Sequence, residues 1–419
     1  MPETAGDAIT VESVTPQLPT LLVLASTYPR WEGDPEPGFV HELSKRLTDR
    51  FRVVVLGPHA PGALPRETME GVEVIRYRYA PQRWETLVND GGIVTNLRRS
   101  AWKSLLVPGF VLAQAWQAWR IIRKHDVQVV HAHWLIPQGL ICALLNLLPG
   151  RKVPFLVTSH GADLFALKGA LMKALKRFVI RRASAMTVVS MSMKDELTRL
   201  DMDTARVHVQ SMGVDLQGRF HPDPQVKRSR DELLFVGRLV EKKGLRYLLA
   251  SLPAVFERYP HAFLTIAGFG PGEIALREQA KALGIVAKVN FVGATPQSEL
   301  PEYYRRAALF VAPFVQASDG DQEGLGLVVL EALGCGCPVI AGDVPAVRDL
   351  PVTRIRVDAD GELARAVIRV LDEPGRAKEE AINQRSECLV RFDWTGVAHH
   401  YAEQLSLLLP DGRNVAGDS

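Results

Sequence analysis

Residues 323–340 read EGLGLVVLEALGCGCPVI, and this stretch sets the architecture. A glycine-rich loop runs into an apolar helical segment, which ends in a second glycine-rich turn and a short strand. That is one loop–helix–strand unit of a sheet covered by helices. Glu323 and Glu331 stand eight residues apart in it. A segment helical from about Gly324 puts both on roughly one face, on the order of 12 Å apart. That is too wide for a paired-carboxylate acid–base or nucleophile arrangement, which needs about 5–10 Å. Gly324 and Gly326 let the backbone approach a phosphate closely. Leu330, Ala332 and Leu333 flank Glu331, so that carboxylate is expected to be buried and partnered rather than solvated.

Working outward, the unit repeats in both directions. Short apolar runs at 232–239, 262–270, 288–293, 308–313, 337–342 and 353–358 predict strands, with helical patterns such as 245–259 between them. A second series lies upstream at 21–26, 51–58, 72–78, 127–134, 155–160 and 184–190, with a helical stretch at 39–50. Alternating strands and helices with doubly apolar strands predict parallel sheets flanked by helices. The stretch 208–224, rich in Gly, Asp and Pro, separates the two series as a linker. The fold class is therefore α/β, with two Rossmann-like doubly wound domains facing a cleft. Residues 1–19 read as a disordered leader, 20–212 as the first domain, 213–391 as the second, 392–409 as a closing helix and 410–419 as a polar tail.

The 419 residues and 47% hydrophobic content suffice for two cores, and a formal charge of +3 gives no argument for nucleic acid. Cys142, Cys335, Cys337 and Cys388 are scattered in a way that suits a reducing cytoplasm rather than a disulfide framework. The N-terminus lacks the basic and apolar regions of a signal peptide. The longest apolar segment, 104–115, contains Pro108 and reads as too short to span a bilayer. The expectation is a cytoplasmic protein, at most peripheral on the inner face of a membrane.

In the second half, Val-Gly237-Arg238 ends a strand and Lys243-Gly244 opens the next helix. Two cations at such a junction suit a diphosphate. With the spaced carboxylates, they match the length of a nucleotide-sugar. Gly268-Phe-Gly270-Pro-Gly272 is similar to a dinucleotide fingerprint, but residue 273 is Glu and the stretch does not open a first βαβ unit. It reads as a tight turn at the cleft edge and not a NAD site.

Taken in order, these motifs resemble the retaining, nucleotide-sugar-dependent glycosyltransferases of family 4, which have the two-domain GT-B fold. The carriers are Gly237-Arg238 with Lys243-Gly244, the Gly268-Phe-Gly270 turn, Glu323-x7-Glu331, Met212-Gly213-Val-Asp215 with Phe220, and the Phe392-x-Trp394 helix. The resemblance covers about 21–408. It implies that Arg238 and Lys243 bind the donor diphosphate, that Glu323 holds the donor sugar, and that Glu331 holds the ribose. Amides near Gly324, Leu325 and Gly326 would hold the distal phosphate. It also implies a closing helix that crosses back onto the first domain.

In the first half, Thr158-Ser-His160-Gly-Ala-Asp163 follows a strand, and the resemblance puts His160 and Asp163 near the transferred sugar and the acceptor. His131 and His133 alternate along a strand end and share one face. With His160 and Asp163 they match no zinc spacing, and the metal expectation is none. Gly33 and Gly38 open the loop after the first strand, where the family has a glycine-rich loop behind the donor phosphates. This loop lacks the usual glycine pair. A second departure is 343–351, where a Gly-Gly turn is replaced by Asp343-Val-Pro-Ala-Val-Arg348-Asp.

Residues 168–182 hold six basic side chains and no acid, with Leu171, Leu175 and Phe178 or Val179 at helical spacing. This stretch reads equally as a solvated helix face and as an anchor for an anionic inner leaflet. Trp102, Trp116 and Trp119 with Arg98, Arg99 and Lys103 form a second basic–aromatic patch. The function expected is retaining transfer, without a metal or other cofactor, from a nucleotide-sugar co-substrate such as a UDP-sugar or GDP-mannose. The expected acceptor is a glycan or a polyprenyl-diphosphate-linked glycan, in polysaccharide or glycolipid synthesis, and no nucleic acid partner is expected. The alternatives are a nucleotide-sugar epimerase of the same architecture and a non-catalytic sugar-nucleotide or glycan binder.

Overall fold

The computed structural model describes residues 18–32, 34, 38–89 and 92–410. The leader expected at 1–19 and the tail at 410–419 therefore lie almost wholly outside the described residues, as does Gly33. Among the described residues, eight strands form the first sheet: β1 (Thr20–Leu24), β2 (Arg52–Pro58), β3 (Arg66–Met69), β4 (Val72–Tyr77), β5 (Val127–His133), β6 (Phe155–Ser159), β7 (Ala185–Val188) and β8 (Val207–Val209). Their order is β3-β4-β2-β1-β5-β6-β7-β8, parallel except for the β3–β4 hairpin. Six more form a second sheet: β9 (Glu232–Val236), β10 (Phe263–Ala267), β11 (Val289–Gly293), β12 (Leu309–Ala312), β13 (Val339–Gly342) and β14 (Thr353–Ile355). Their order is β11-β10-β9-β12-β13-β14, all parallel.

Both orders reverse direction once, between β1 and β5 in the first sheet and between β9 and β12 in the second. Ligands of doubly wound sheets lie outside the strand C-termini at such reversals. The residues that follow β5 and β9 are therefore the ones to watch, and they are Trp134 and Gly237-Arg238.

The helices form because one face of each is apolar. In Leu245–Arg258, Leu245, Leu248, Leu249, Leu252, Val255 and Phe256 are all buried, at three- and four-residue spacing against the second sheet. Each such side chain contributes about 1.5–3 kcal/mol by leaving water. Pro253 sits inside this helix without ending it.

Two readings from the sequence are corrected. β8 adds a strand to the first sheet within the stretch read as linker. The β3–β4 hairpin was not anticipated, because RETM has almost no apolar residue to signal an edge strand. The closing helix, Trp394–Ser406, does cross back. The Arg46 guanidinium lies 5.2 Å over the Trp394 ring, and Tyr401 packs 5.5 Å from the His131 ring. The outgoing and returning chains are laced together: Val214 N–H donates to Phe392 O (2.9 Å), Trp394 N–H to Val214 O (3.2 Å), and Leu216 N–H to the Asp393 carboxylate (3.2 Å).

Candidate active site

The second domain supplies a charged wall. After β9 the chain turns through Gly237 and Arg238, and the turn is fastened to the one after β10. Gly237 N–H donates to Ala267 O (3.0 Å), Leu239 N–H to Phe269 O (2.9 Å), and Gly268 N–H to Gly293 O (2.7 Å). Gly268 has φ +152°, and a Cβ there would overlap the Gly237 carbonyl, so only glycine fits. A Cβ on Gly270 would likewise stand 2.7 Å from Leu239 backbone atoms. The 268–272 stretch is a tight turn, as its sequence indicated.

Lys243 ends a single 3-10 turn, Glu241–Lys243, before the helix Leu245–Arg258. Its ammonium lies 2.7 Å from Glu323 Oε2 and 4.6 Å over the ring of Phe314. Burial alone would raise the Glu323 carboxyl, but Lys243 and then Lys242 reverse that and hold it at about 2. The pair is a buried charge kept ionised by its counter-charge.

Glu323 is not on the helix that carries Glu331. Gly326, in the left-handed region at φ +77°, is the N-cap, and the helix runs Leu327–Gly334. The expectation of a helix from Gly324 with both acids on one face is therefore corrected. Glu323, Gly324 and Leu325 form the loop ahead of it. Glu331 is only 5% exposed; Tyr304 O–H donates to one oxygen (3.0 Å) and Gln297 to the other (3.3 Å). Burial raises its pKa against those two hydrogen bonds. Its apolar neighbours in sequence foretold that setting, whereas Tyr304 and Gln297 lie too far upstream for spacing to reveal.

The first domain supplies a neutral wall. β5 and β6 are neighbours, which brings His133 and His160 together. Their rings stack at 5.2 Å, and His133 Nδ1 and His160 Nε2 share one hydrogen bond of 2.9 Å. His131 lies 4.2 Å behind His133, and its Nε2 bonds Thr158 Oγ1 at 2.7 Å. Burial holds His131 and His160 at about 3, and His133 well below its ordinary value. All three are uncharged imidazoles near neutral pH. Among the described residues no group of three or more His, Cys, Asp or Glu is placed to hold a metal ion.

Asp163 sits directly against the turn that carries His160. It is 3% exposed, and its carboxylate accepts from Leu135 N–H (2.7 Å), Ser159 O–H (2.9 Å) and His160 N–H (3.2 Å). It fastens the turn that presents His160. Gly38 precedes the helix Phe39–Arg46, and Phe39 brings its ring 4.8 Å from that of His160.

The two walls meet. A Cβ on Gly324 would stand 2.6 Å from His160 O, and one on Gly161 would stand 3.1 Å from Gly324 Cα. The His160 turn and the Glu323 loop are thus in backbone contact. Nearby, Arg238 donates to Thr95 Oγ1 (3.2 Å), Arg98 pairs with Asp319 (2.5 Å), and Lys168 donates to Asp319 O (2.8 Å). Thr95 and Asp319 escaped the sequence reading, since neither lies in a motif. Of the residues singled out beforehand, Arg238, Lys243, Glu323, Gly324 and His160 gather at this junction. Glu331 and Asp163 stand behind it in the two domains.

Comparison with known proteins agrees along the whole chain. The family described as Glycosyltransferase Family 4 matches residues 39–217, and that described as Glycosyl transferases group 1 matches 218–387. The chain is 30% identical over 384 residues to a glycogen synthase of Mycobacterium tuberculosis, covering 86% of this chain and 87% of that protein. It is 29% identical over 306 residues to a GDP-mannose-dependent alpha-(1-6)-phosphatidylinositol monomannoside mannosyltransferase of Mycolicibacterium smegmatis, covering 68% and 78%. Among solved structures, sucrose-phosphate synthase from Thermosynechococcus elongatus superposes with a TM-score of 0.75 at 20% identity, over 93% of this chain and 99% of that one. Anabaena HepE in complex with UDP does so with a TM-score of 0.70 at 16% identity, over 92% and 99%. At those identities the structural likeness speaks for the fold alone.

Proposed function

The chain belongs to glycosyltransferase family 4, and from that premise we propose that it moves a sugar from a nucleotide-diphosphate donor to a glycan or lipid-linked glycan hydroxyl, with retention and without a metal. The observation that carries the reading is the junction where Lys243 and Glu323 of one domain meet His160 of the other.

Lys243 and Arg238 lie beside the reversal of the second sheet, where a diphosphate fits. When the donor enters, phosphate oxygens compete with Glu323 for the Lys243 ammonium, which frees that carboxylate to accept from sugar hydroxyls. As the bond between anomeric carbon and phosphate oxygen lengthens, negative charge grows on the diphosphate. Two fixed cations then stabilise it in a site closed to water. Because this neutralisation comes from side chains, the chemistry needs no divalent ion.

The state of the nearby acids supports retention. Glu323, once released from Lys243, is taken up by the sugar hydroxyls, while Glu331 and Asp163 are buried with their oxygens engaged. None is presented as a nucleophile for a two-step displacement or as a base on the opposite face of the sugar, which supports approach of the acceptor oxygen on the face the diphosphate leaves, with its proton passing to a phosphate oxygen. His160, its pKa held at about 3 and so a weak base, suits a hydrogen bond to the sugar rather than proton abstraction.

The test is a panel of nucleotide-sugars scored by release of nucleoside diphosphate, with and without acceptors, followed by proton NMR of the product. Acceptor-dependent release, an unchanged anomeric configuration and full activity in excess EDTA are expected. Inverted product refutes retention. Activity lost in EDTA and restored by Mg²⁺ or Mn²⁺ refutes metal independence. Nucleotide release without any acceptor favours the epimerase.

A further inference from the structure

We infer that the helix Leu106–Lys124, with the end of Leu140–Leu145 beside it, docks the first domain onto an anionic lipid bilayer. The inference does not depend on the transfer reaction.

The helix is apolar on two opposite sides. One side is core: Leu106, Phe110, Gln114, Ala118 and Ile121 are buried, and Gln114 donates to Ala25 O (3.1 Å). The other side faces out with Leu105, Leu112 and Trp116, which are 80%, 68% and 57% exposed. They lead to Arg120, Arg123 and Lys124 on the last turn. The helical stretch Ala101–Lys124 is the one described segment long and apolar enough to cross a membrane, yet only 28% of its apolar window is buried. The earlier reading of 104–115 as merely too short is corrected. Pro108 sits in the first turn of the helix, where it is tolerated. The segment continues to Lys124 and is held flat on a sheet.

Leu144, Leu147 and Leu148 are also exposed, at the end of the helix Leu140–Leu145, which packs against Leu106–Lys124. Leu112 and Trp116 on one helix, and Leu144 on the helix packed against it, are exposed apolar side chains of the kind that enter a bilayer interface. They have the depth of an interfacial anchor whose opposite face is the protein core.

Charge decides the occupant. The helix Leu106–Lys124 carries Arg120, Arg123 and Lys124 exposed on its last turn and no acid along its length, in a chain whose total charge is only +3; the next acids along the chain are Asp126 and Asp163. Asp163 is buried and Asp126 is paired with Arg151. A second copy of this face would bring like charges together, whereas an anionic leaflet meets both the leucines and the cations. The helix begins beside Tyr79, just past the C-terminal end of β4, where a Cβ on Gly109 would stand 2.7 Å from Tyr79 O. The start of the helix is therefore on the side of the sheet where its parallel strands end.

Of the two basic faces expected from the sequence, the one around Trp102, Trp116 and Trp119 shares Trp116 with this surface, and three cations of the two faces are otherwise engaged. Arg98 is spent on Asp319, Lys103 on Thr86 O and Asn96, and Lys176 is buried against Leu164 O and Leu167 O.

The experiment is flotation of the full chain, without donor or acceptor, on vesicles of neutral phosphatidylcholine and on vesicles about one-third phosphatidylglycerol. At least tenfold more protein should float with the anionic vesicles. The double variant Leu112→Glu/Trp116→Glu should lose binding at least tenfold on both. Arg120→Gln/Arg123→Gln/Lys124→Gln should lose only the preference for anionic lipid. Unchanged melting temperatures will show that the variants fold, since all five positions face solvent. Equal flotation of wild type and the leucine–tryptophan variant overturns the proposal. So does concentration-dependent dimerisation abolished by that variant, or binding of an oligonucleotide in preference to vesicles. Loss of flotation with full transfer to a soluble acceptor leaves the catalytic reading intact, and the reverse separates the two in the other direction.

Discussion

The two walls of the cleft handle burial in opposite ways. On the second domain, Glu323 is kept ionised because Lys243 stands 2.7 Å away, and its pKa is held at about 2. On the first domain, removal from water keeps His131, His133 and His160 neutral. Burial costs a charged group dearly unless an opposite charge shares the site. The difference teaches that one wall keeps its charge by pairing and the other gives its charge up, which under the proposed function suits the first to a ligand's charge and the second to its hydroxyl groups.

The severest test of that contrast removes the cation. Lys243→Ala is expected to lower kcat/KM by ~2–4 kcal/mol, about thirty- to a thousand-fold, as when one preorganised donor is removed. With Lys243 gone, burial pushes Glu323 upward, so a new acidic limb should enter the pH–rate profile above pH 4.5. A loss under twofold, or an unchanged profile, means that the charged wall does not serve the diphosphate.

Next in size is the place where the walls touch. Gly324→Ala puts a methyl 2.6 Å from His160 O, an overpacking that costs about 1–3 kcal/mol. If closure bears that cost, kcat falls while nucleotide affinity, measured by calorimetry on the second domain's ligand, changes little. Equal losses in both place the strain in the donor loop instead.

Asp163→Asn probes the support behind the neutral wall. An amide nitrogen would face one of three donors, from Leu135, Ser159 or His160, at a cost of about 1–3 kcal/mol. The denaturant midpoint should fall, with KM for the donor nearly unchanged. An unaltered midpoint removes Asp163 as the fastener of that turn.

The smallest effect is in pH. His131 and His160 fall from an ordinary value of 6.5 to about 3 in the folded state. The unfolded chain therefore binds protons first, and stability is fully present above pH 6.5 and declines as pH falls from there toward 3. Urea midpoints between pH 7 and 4 should show this slope, and His131→Asn should flatten it. A midpoint independent of pH across that window contradicts the neutral histidines.

Much of this was legible beforehand because doubly wound sheets write themselves in apolar runs. LLVLAS and ELLFVG are buried on both faces and could hardly be anything but inner strands. The cation junction after β9 and the loop ahead of Glu331 were visible as motifs. What stayed hidden was pairing at a distance. The His133–His160 bond depends on β5 and β6 being neighbours. Tyr304 reaches Glu331 from another helix, and Arg238 reaches Thr95 across the cleft. Lys176 misled because a basic residue in a basic run reads as solvated, and only the carbonyls of Leu164 and Leu167 explain why its ammonium turns inward.

Tyr401 has a consequence for synthesis. It is fully buried behind His131, its hydroxyl donates to Gln210 O at 3.1 Å, and it arrives on the last described helix. The half that leaves the ribosome first is thus finished last. Its inner imidazoles stay uncapped while almost two hundred further residues are translated, so a prematurely terminated chain would expose the older half rather than the younger.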